Sequence, residues 1–467
     1  YADIPADFAD FNQAVVLAAP RGVSVDVLAE LLAVLVAQHP MLSARLTRTG
    51  GDWALTAGTE FDAASAISAM TSAHALGSSG FDDNLVAAHA AAAGRLDPAT
   101  GRIIELVVLA SADGVGRIVT VIHHLGTDAV SWAAIIEDLV TLWAQHSAGH
   151  PLHLRDTGTS LRAWSAALAE RIGEREAETG YWLDRLPQRP TDFGAPLDRS
   201  RDRASTAVSL THTVDPDVTE AVLTTVPEAF SSKASGGNVN DVLLGTFARA
   251  VRGWQHDHAI ADHAPVSILL EGHGRNEEVL ETGADPRRAD LSRSVGWFTT
   301  IAPVSIDPAD DVLHAVKAAK EERLGQPDSG IGFGWLRYRA ATTAELAQRP
   351  LPSILFNYLG AGGRSATEPG REPSPFTGVP NPGFAASPAG AMAAQAILAI
   401  NAGTDIVDGR RCLTATIAFP EAVLGADAVR ELMDRWSAEL AAVVDAVAAG
   451  SPGLPPSDVP GAAVTQA

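Results

Sequence analysis

The chain has a single cysteine, Cys412, among 467 residues, so no intrachain disulfide is available to it. That usage fits a reducing compartment, and the expectation is a cytoplasmic protein. Aromatic residues make up only 6 % against a hydrophobic content of 46 %, so the core has to be built largely from alanine, valine and leucine. No apolar run reaches the ~20 residues that span a bilayer, and the N-terminus lacks the basic, apolar, small order of a signal peptide. Basic residues are scarce as well: 34 face 56 acidic ones, for a formal net charge of −22. A surface of that sign repels nucleic acid and anionic membranes, so neither is an expected partner. An acidic partner would have to dock on a local basic patch, for which the arginines of 155–175 and 199–203 are the candidates. Metal-ligand spacing is also missing, because one cysteine and no His-Glu-x-x-His stretch leave a zinc site without support.

What is present is length and alternation. At about 150 residues per domain the chain is long enough for two or three cores. Strand-like segments at 13–19, 42–46, 53–56, 103–110 and 117–123 alternate with helical patterns at 25–38, 82–92, 132–144 and 160–180. Ser24 is placed to cap the first helix, which His39 and Pro40 end. Prolines 187, 190 and 196 among mixed charges mark a linker. The second half repeats the grammar. Strands are expected at 207–214, 265–270, 299–305, 353–358, 394–401 and 412–418, and helices at 215–227, 240–255, 312–323 and 427–448. The reading is α/β, with an N-terminal lobe over 1–186, a linker at 187–203, a C-terminal lobe over 204–450 and a proline-rich interdomain tail at 451–467. Two lobes of similar order point to a pseudo-dimer with its site in a cleft between them.

The stretch that carries chemistry runs from His123 and His124 through Leu125, Gly126 and Thr127 to Asp128. A β-branched strand ends at the two histidines, and a helix with Ile135, Ile136, Leu139 and Leu142 at helical spacing follows. Catalytic loops are commonly held between such rigid elements. An imidazole works as a general base only when its ring and tautomer are fixed, and a nearby carboxylate, or an Arg–Asp pair bracing the loop, supplies that fixation. By itself, an adjacent histidine pair is more readily one packed ring and one solvated ring than a catalytic pair.

Five ordered segments together resemble the condensation-domain superfamily of nonribosomal peptide synthetases, and within it the epimerization domains. They are His123 to Trp132, which fits a His-His-x-x-x-Asp motif with a Val-Ser-Trp extension; Leu270-Glu271-Gly272-His273-Gly274-Arg275; Ser294 to Thr299; Ile331 to Tyr338; and Phe356-Asn357-Tyr358-Leu359-Gly360. Weaker matches at Tyr181-Trp182, at 240–244 and at 456–460 extend the likeness over nearly the whole chain. Family members usually carry Gly after the aspartate and Arg after the tryptophan, where this chain has Ala129 and Ala133. Leu125, Gly126 and Thr127 are also less bulky than the usual filler.

The resemblance implies a chloramphenicol-acetyltransferase-like pseudo-dimer with a tunnel between its lobes. It implies inversion of the Cα of an aminoacyl or peptidyl thioester, presented on the phosphopantetheine arm of a carrier protein beside adjacent synthetase domains. A thioester acidifies the Cα proton, so no intrinsic cofactor is expected. His124 and Glu271 are the candidate proton-transfer residues, one for each face of Cα. A carboxylate in an apolar passage has a raised pKa, which suits a group that must both give and take a proton. Taken alone, Glu271 is equally a salt-bridge partner of Arg275. Asp128, paired with a basic residue, and His123, by packing, are assigned to support of the site. Ser131 and Asn357 are candidate polar contacts to the thioester or enolate oxygen, in competition with the backbone N–H of Gly126 or Ala129. Tyr358 and Trp297 are candidates for the tunnel lining or the core. The competing functions are a peptide-bond-forming condensation domain, a silent condensation-like domain that recruits a tailoring enzyme, and a free-standing acyltransferase of the same fold.

Overall fold

The β-branched run from Ile118 to Ile122 is the middle of a mixed sheet in the computed structural model of the chain. Residues 9, 11–50, 52–114, 116–187, 193–231, 236–260, 265–281, 286–339, 344–360, 374–379, 386–387, 390–450 and 452–453 are described. They belong to two compact units, each with its own six-stranded sheet.

The first unit comprises Tyr1–Leu168 with Glu277–Thr299 and Arg364–Met392. Its sheet runs in the order Gly378–Val379, Asn12–Ala18, Gly116–His123, Ile104–Ala110, Ile67–Thr71, and Ala386–Ser387 also pairs with Asn12–Ala18. Both faces are covered, which is why the central strand is apolar at nearly every position. Along it Ile118 and Ile122 pack with the helices Val25–Gln38 and Ser131–Ser147, while Val119 and Val121 pack with Phe81, Leu85 and Ala88 of the helix Ser79–Ala93. That alternation is the period of two that a strand imposes. Ser24 caps its helix as expected, its hydroxyl accepting the Val27 N–H at 3.2 Å.

The second unit comprises Ala169–Asn276, Thr300–Gly363 and Ala393–Ala467. Its strand order is Ala207–Thr213, Arg410–Pro420, Leu398–Val407, Ile354–Tyr358, Val266–Gly272, Thr300–Ile306, with the third, fourth and fifth mutually parallel. One face buries Ile268, Leu270, Ile354, Phe356 and Ile400 with Phe247, Val316 and Trp436 of the helices Val239–Asp257, Val312–Leu324 and Ala426–Ala449. The other carries a smaller apolar cluster of Leu269, Leu355 and Ala396.

Several expectations need correction. The halves are not contiguous: two segments from beyond residue 276 belong to the first unit, the N-terminal unit stops at Leu168, and the described part of the expected linker lies in the second unit. Residues 188–192 of that linker, and all of the tail except 452–453, lie outside the described residues. The single helix expected over 160–180 is three pieces, Leu161–Glu170, the 3₁₀ turn Ile172–Glu178 and Thr179–Arg185. The tighter turn lets the buried Arg175 reach both Glu178 and Asp328 and lets Glu178 accept the Trp182 indole N–H at 3.0 Å. The strand expected at 42–46 begins only at Arg45, because Pro40 opens a 3₁₀ turn over Pro40–Ser43. In the expected basic patches Arg155, Arg171, Arg175 and Arg201 each face a carboxylate, which neutralises them locally.

Candidate active site

In the first unit the strand Gly116–His123 delivers the two histidines to a 3₁₀ turn, His124–Gly126. His123 is fully buried; its N–H donates to the Ile103 carbonyl at 2.7 Å and its Nδ1 accepts the Leu125 N–H at 3.1 Å. His124 is turned the other way. Its backbone N–H donates to the Phe11 carbonyl at 2.9 Å, and its ring meets two aromatic side chains. Phe11 stacks on it at 4.7 Å between centroids and Trp297 lies tilted against it at 4.6 Å. Phe11 and Trp297 also touch each other edge-on at 5.7 Å, so the three rings form a triangle. At the ring's edge, Gln13 Nε2 lies 3.0 Å from His124 Nε2. Burial lowers the His124 pKa below 6.5, against the opposing pull of the His124 and Thr127 carbonyls and the Asp128 charge. The ring is therefore a neutral base at pH 7.

Asp128 holds this loop, and the groups seen doing so are N–H and O–H donors where the sequence suggests a basic partner. Oδ1 accepts the Ser131 N–H at 2.9 Å and its hydroxyl at 2.8 Å, and Oδ2 accepts the Phe298 N–H at 3.0 Å. Ser131 is thereby removed from the candidate substrate contacts. It is 1 % exposed, and its Oγ lies 3.1 Å from the Gly296 carbonyl and accepts the Gly296 N–H at 3.2 Å. The segment around Trp297 thus serves as a brace for the histidine loop. An Asp128→Ala change strips the acceptor from three buried donors at ~1–3 kcal/mol each. The expected result is a fall in the urea midpoint worth about 3 kcal/mol or more with an unchanged slope, and a midpoint equal to that of the unmodified domain would refute the brace.

The departures from the usual motif have local reasons. A Cβ on Gly126 would lie 2.6 Å from Ile103 Cγ2 and 3.0 Å from the Met41 carbonyl, so a bulkier residue does not fit there. Ala129 is exposed and avoids the left-handed region, so glycine is not required at that position. Ala133 is exposed on the helix Ser131–Ser147, away from the buried face that carries Trp132 and Ile135.

In the second unit Glu271 stands near the end of the strand Val266–Gly272, paired with Ile301. Its parity puts it on the sheet face of Leu269, Leu355 and Ala399, together with Asn357 and Asn401. Asn357 Nδ2 donates to Asn401 Oδ1 at 3.1 Å, so Asn401 belongs with these residues although the sequence did not single it out. Tyr358 has the opposite parity and packs against the main core, which removes it from the face that carries Glu271. The salt bridge to Arg275 is not formed: among the described residues no hydrogen bond or ion pair engages the Glu271 carboxyl, and burial raises its pKa to about 7. A carboxyl with that pKa is a proton donor and acceptor of nearly equal strength at neutral pH.

The Condensation domain family matches residues 7–447, and the chain belongs to that family. Chondramide synthase cmdD of Chondromyces crocatus is 34 % identical over 276 residues, covering 57 % of this chain and 6 % of that protein. Bacitracin synthase 1 of Bacillus licheniformis is 29 % identical over 282 residues, 59 % of this chain and 5 % of that one. The chain therefore spans a small fraction of the curated relatives it matches. Among solved structures, the epimerization domain from the third module of tyrocidine synthetase B aligns with a TM-score of 0.75 at 23 % identity, covering 95 % of this chain and 94 % of that one. The first condensation domain of the calcium-dependent antibiotic synthetase aligns at 0.63 and 16 % identity, covering 97 % and 94 %. The fold is thus the two-lobed mixed α/β fold of condensation domains. No described helix is long and apolar enough to cross a membrane.

Proposed function

We propose that this domain inverts the Cα configuration of an aminoacyl or peptidyl thioester carried on the phosphopantetheine of a carrier protein, by proton transfer through His124 and Glu271. The observation that carries the reading is the Glu271 carboxyl, unpartnered among the described residues and with a pKa of about 7. Peptide-bond formation has no evident use for such a group. Inversion needs a neutral base and a protonated acid at the same pH, and the lowered pKa of His124 supplies the other half.

In one direction His124 takes the Cα proton, and the C–H electron pair moves into the Cα–C bond while the carbonyl π pair moves onto oxygen. The Glu271 O–H then protonates the enolate from the opposite face. The domain is left with an imidazolium and a carboxylate, which is the protonation state that runs the reverse direction. Asn357 and Asn401, on the face with Glu271, are amide donors for the enolate oxygen.

The test is solvent deuterium incorporation at Cα, using carrier protein loaded in turn with L-aminoacyl and L-dipeptidyl thioesters, followed by hydrolysis and chiral analysis. Deuterium together with D-configured product is expected. Absence of exchange from every thioester, with carrier binding demonstrated and amide formation observed when an acceptor aminoacyl carrier is added, would replace this reading by condensation.

A further inference from the structure

Gln13 lies on the strand Asn12–Ala18, paired with Ile122, and Trp132 lies in the first turn of the helix Ser131–Ser147. Trp132 Nε1 donates to Gln13 Oε1 at 2.9 Å. An indole N–H can only donate, so Gln13 must turn its carbonyl oxygen to Trp132 and its NH₂ to His124. The 3.0 Å contact between Gln13 Nε2 and His124 Nε2 is then an amide N–H donated to an imidazole lone pair. A neutral ring with its lone pair on Nε2 carries its proton on Nδ1. Nδ1 is buried and makes no well-formed hydrogen bond to a described residue.

We infer that Gln13, locked in one amide orientation by the Trp132 indole, is a positioning residue that holds His124 neutral and makes Nε2 its proton-accepting atom. The relay explains how a loop histidine keeps one tautomer without a carboxylate on its ring nitrogens. It also opposes protonation. An imidazolium presents N–H at Nε2, which meets the amide N–H head-on, and the amide cannot flip without turning its NH₂ against the indole N–H. Protonation therefore requires the arriving substrate to draw the Nε2 edge away from Gln13. The other groups packed on the ring, Phe11 and Trp297, are uncharged. Among the described residues the charge acting on it is that of Asp128, which favours the proton.

This inference rests on His124 as the proton-transfer group, but its first test needs no substrate. In the intact domain with ¹⁵N-labelled histidine, the His124 resonances are followed through a pH titration. A pyrrole-type Nδ1 and a pyridine-type Nε2 are expected, with a midpoint below that of free histidine. Trp132→Phe keeps the ring but frees the amide, so the midpoint should rise and the two nitrogens drift toward an average. Gln13→Glu places a carboxylate at Nε2 and should raise the midpoint most, by a pH unit or more. The acid limb of the Cα exchange profile should move by the same interval. An Nε2–H tautomer in the unmodified domain, or midpoints that do not move in either folded variant, would overturn the inference. Midpoints that move while no substrate exchanges would instead leave the relay standing and sink the epimerization reading.

Discussion

Glu271→Gln loses inversion and gains stability, and the two effects separate by pH. Glutamine keeps the shape of the side chain but can neither give nor take the proton, so inversion is expected to fall by about 100- to 10,000-fold, the usual worth of an acid–base group. Stability moves the other way. The folded carboxyl holds its proton up to about 7, above the ordinary 4.5, because burial penalises the charge. A raised carboxyl pKa means that the folded state binds the proton more tightly than the unfolded chain. Its favourable contribution is complete below pH 4.5 and is lost as pH rises through about 7. That interval corresponds to roughly 3 kcal/mol at 1.36 kcal/mol per pH unit. The glutamine variant should therefore unfold at higher temperature than the unmodified domain at pH 8 and together with it at pH 4. An equal difference at both values would mean that the carboxyl is not desolvated in the folded domain.

His124→Ala should cost inversion about as much, on the order of 100- to 10,000-fold, with a different remnant of activity. If each group serves one face of Cα, the alanine variant retains slow washout of the proton that faces Glu271, from substrate of one hand only and without inversion. The glutamine variant then retains washout from the opposite hand. Loss of all exchange from both hands in one variant, with full exchange in the other, would assign both faces to a single base. The pH profile gives a second reading of the same chemistry. Under the proposed mechanism both directions need one proton on His124 and Glu271 together, so both directions should follow one bell. Its acid limb lies below 6.5, where burial has moved His124, and its alkaline limb near 7, where Glu271 ionises. Profiles of different shape for the two directions would break the pairing.

How much of this was legible beforehand depended on whether the determining contact was local. The helix Val25–Gln38 is readable because Ser24 and Asp26 sit at its start and His39-Pro40 at its end, all within the segment itself. The His123, His124 and Asp128 loop is readable for the same reason, since six consecutive residues carry the pattern. Asp128 was expected to pair with a basic residue, and the partners that the structure shows for it include the N–H of Phe298, 170 positions on, and Ser131. No spacing rule announces a contact of that range. Gln13 was not singled out at all, because its role exists only once Trp132 and His124, 119 and 111 positions away, are in place. The available signal was faint: two amides, Asn12 and Gln13, opening an otherwise apolar strand. Tyr358 was left between lining and core, and its place in the core could not be chosen from sequence because the parity of a strand cannot be anchored until its neighbours are known, and one residue of difference moves a side chain to the other face.

The first unit borrows Glu277–Thr299 and Arg364–Met392 from late in the chain, and both are structural parts of it: Val295 and Phe376 lie in its core, and Phe298 fastens Asp128. During synthesis the histidine loop therefore emerges long before the residues that set it. The early polypeptide can pair its central strands, yet the loop's brace waits for Phe298, 170 positions after Asp128, and the core beneath it waits for Phe376. A fragment ending at the first unit's contiguous boundary is thus expected to expose apolar surface to chaperones or aggregation. For anyone exchanging pieces between domains of this family, the unit of transplantation is both interleaved units together.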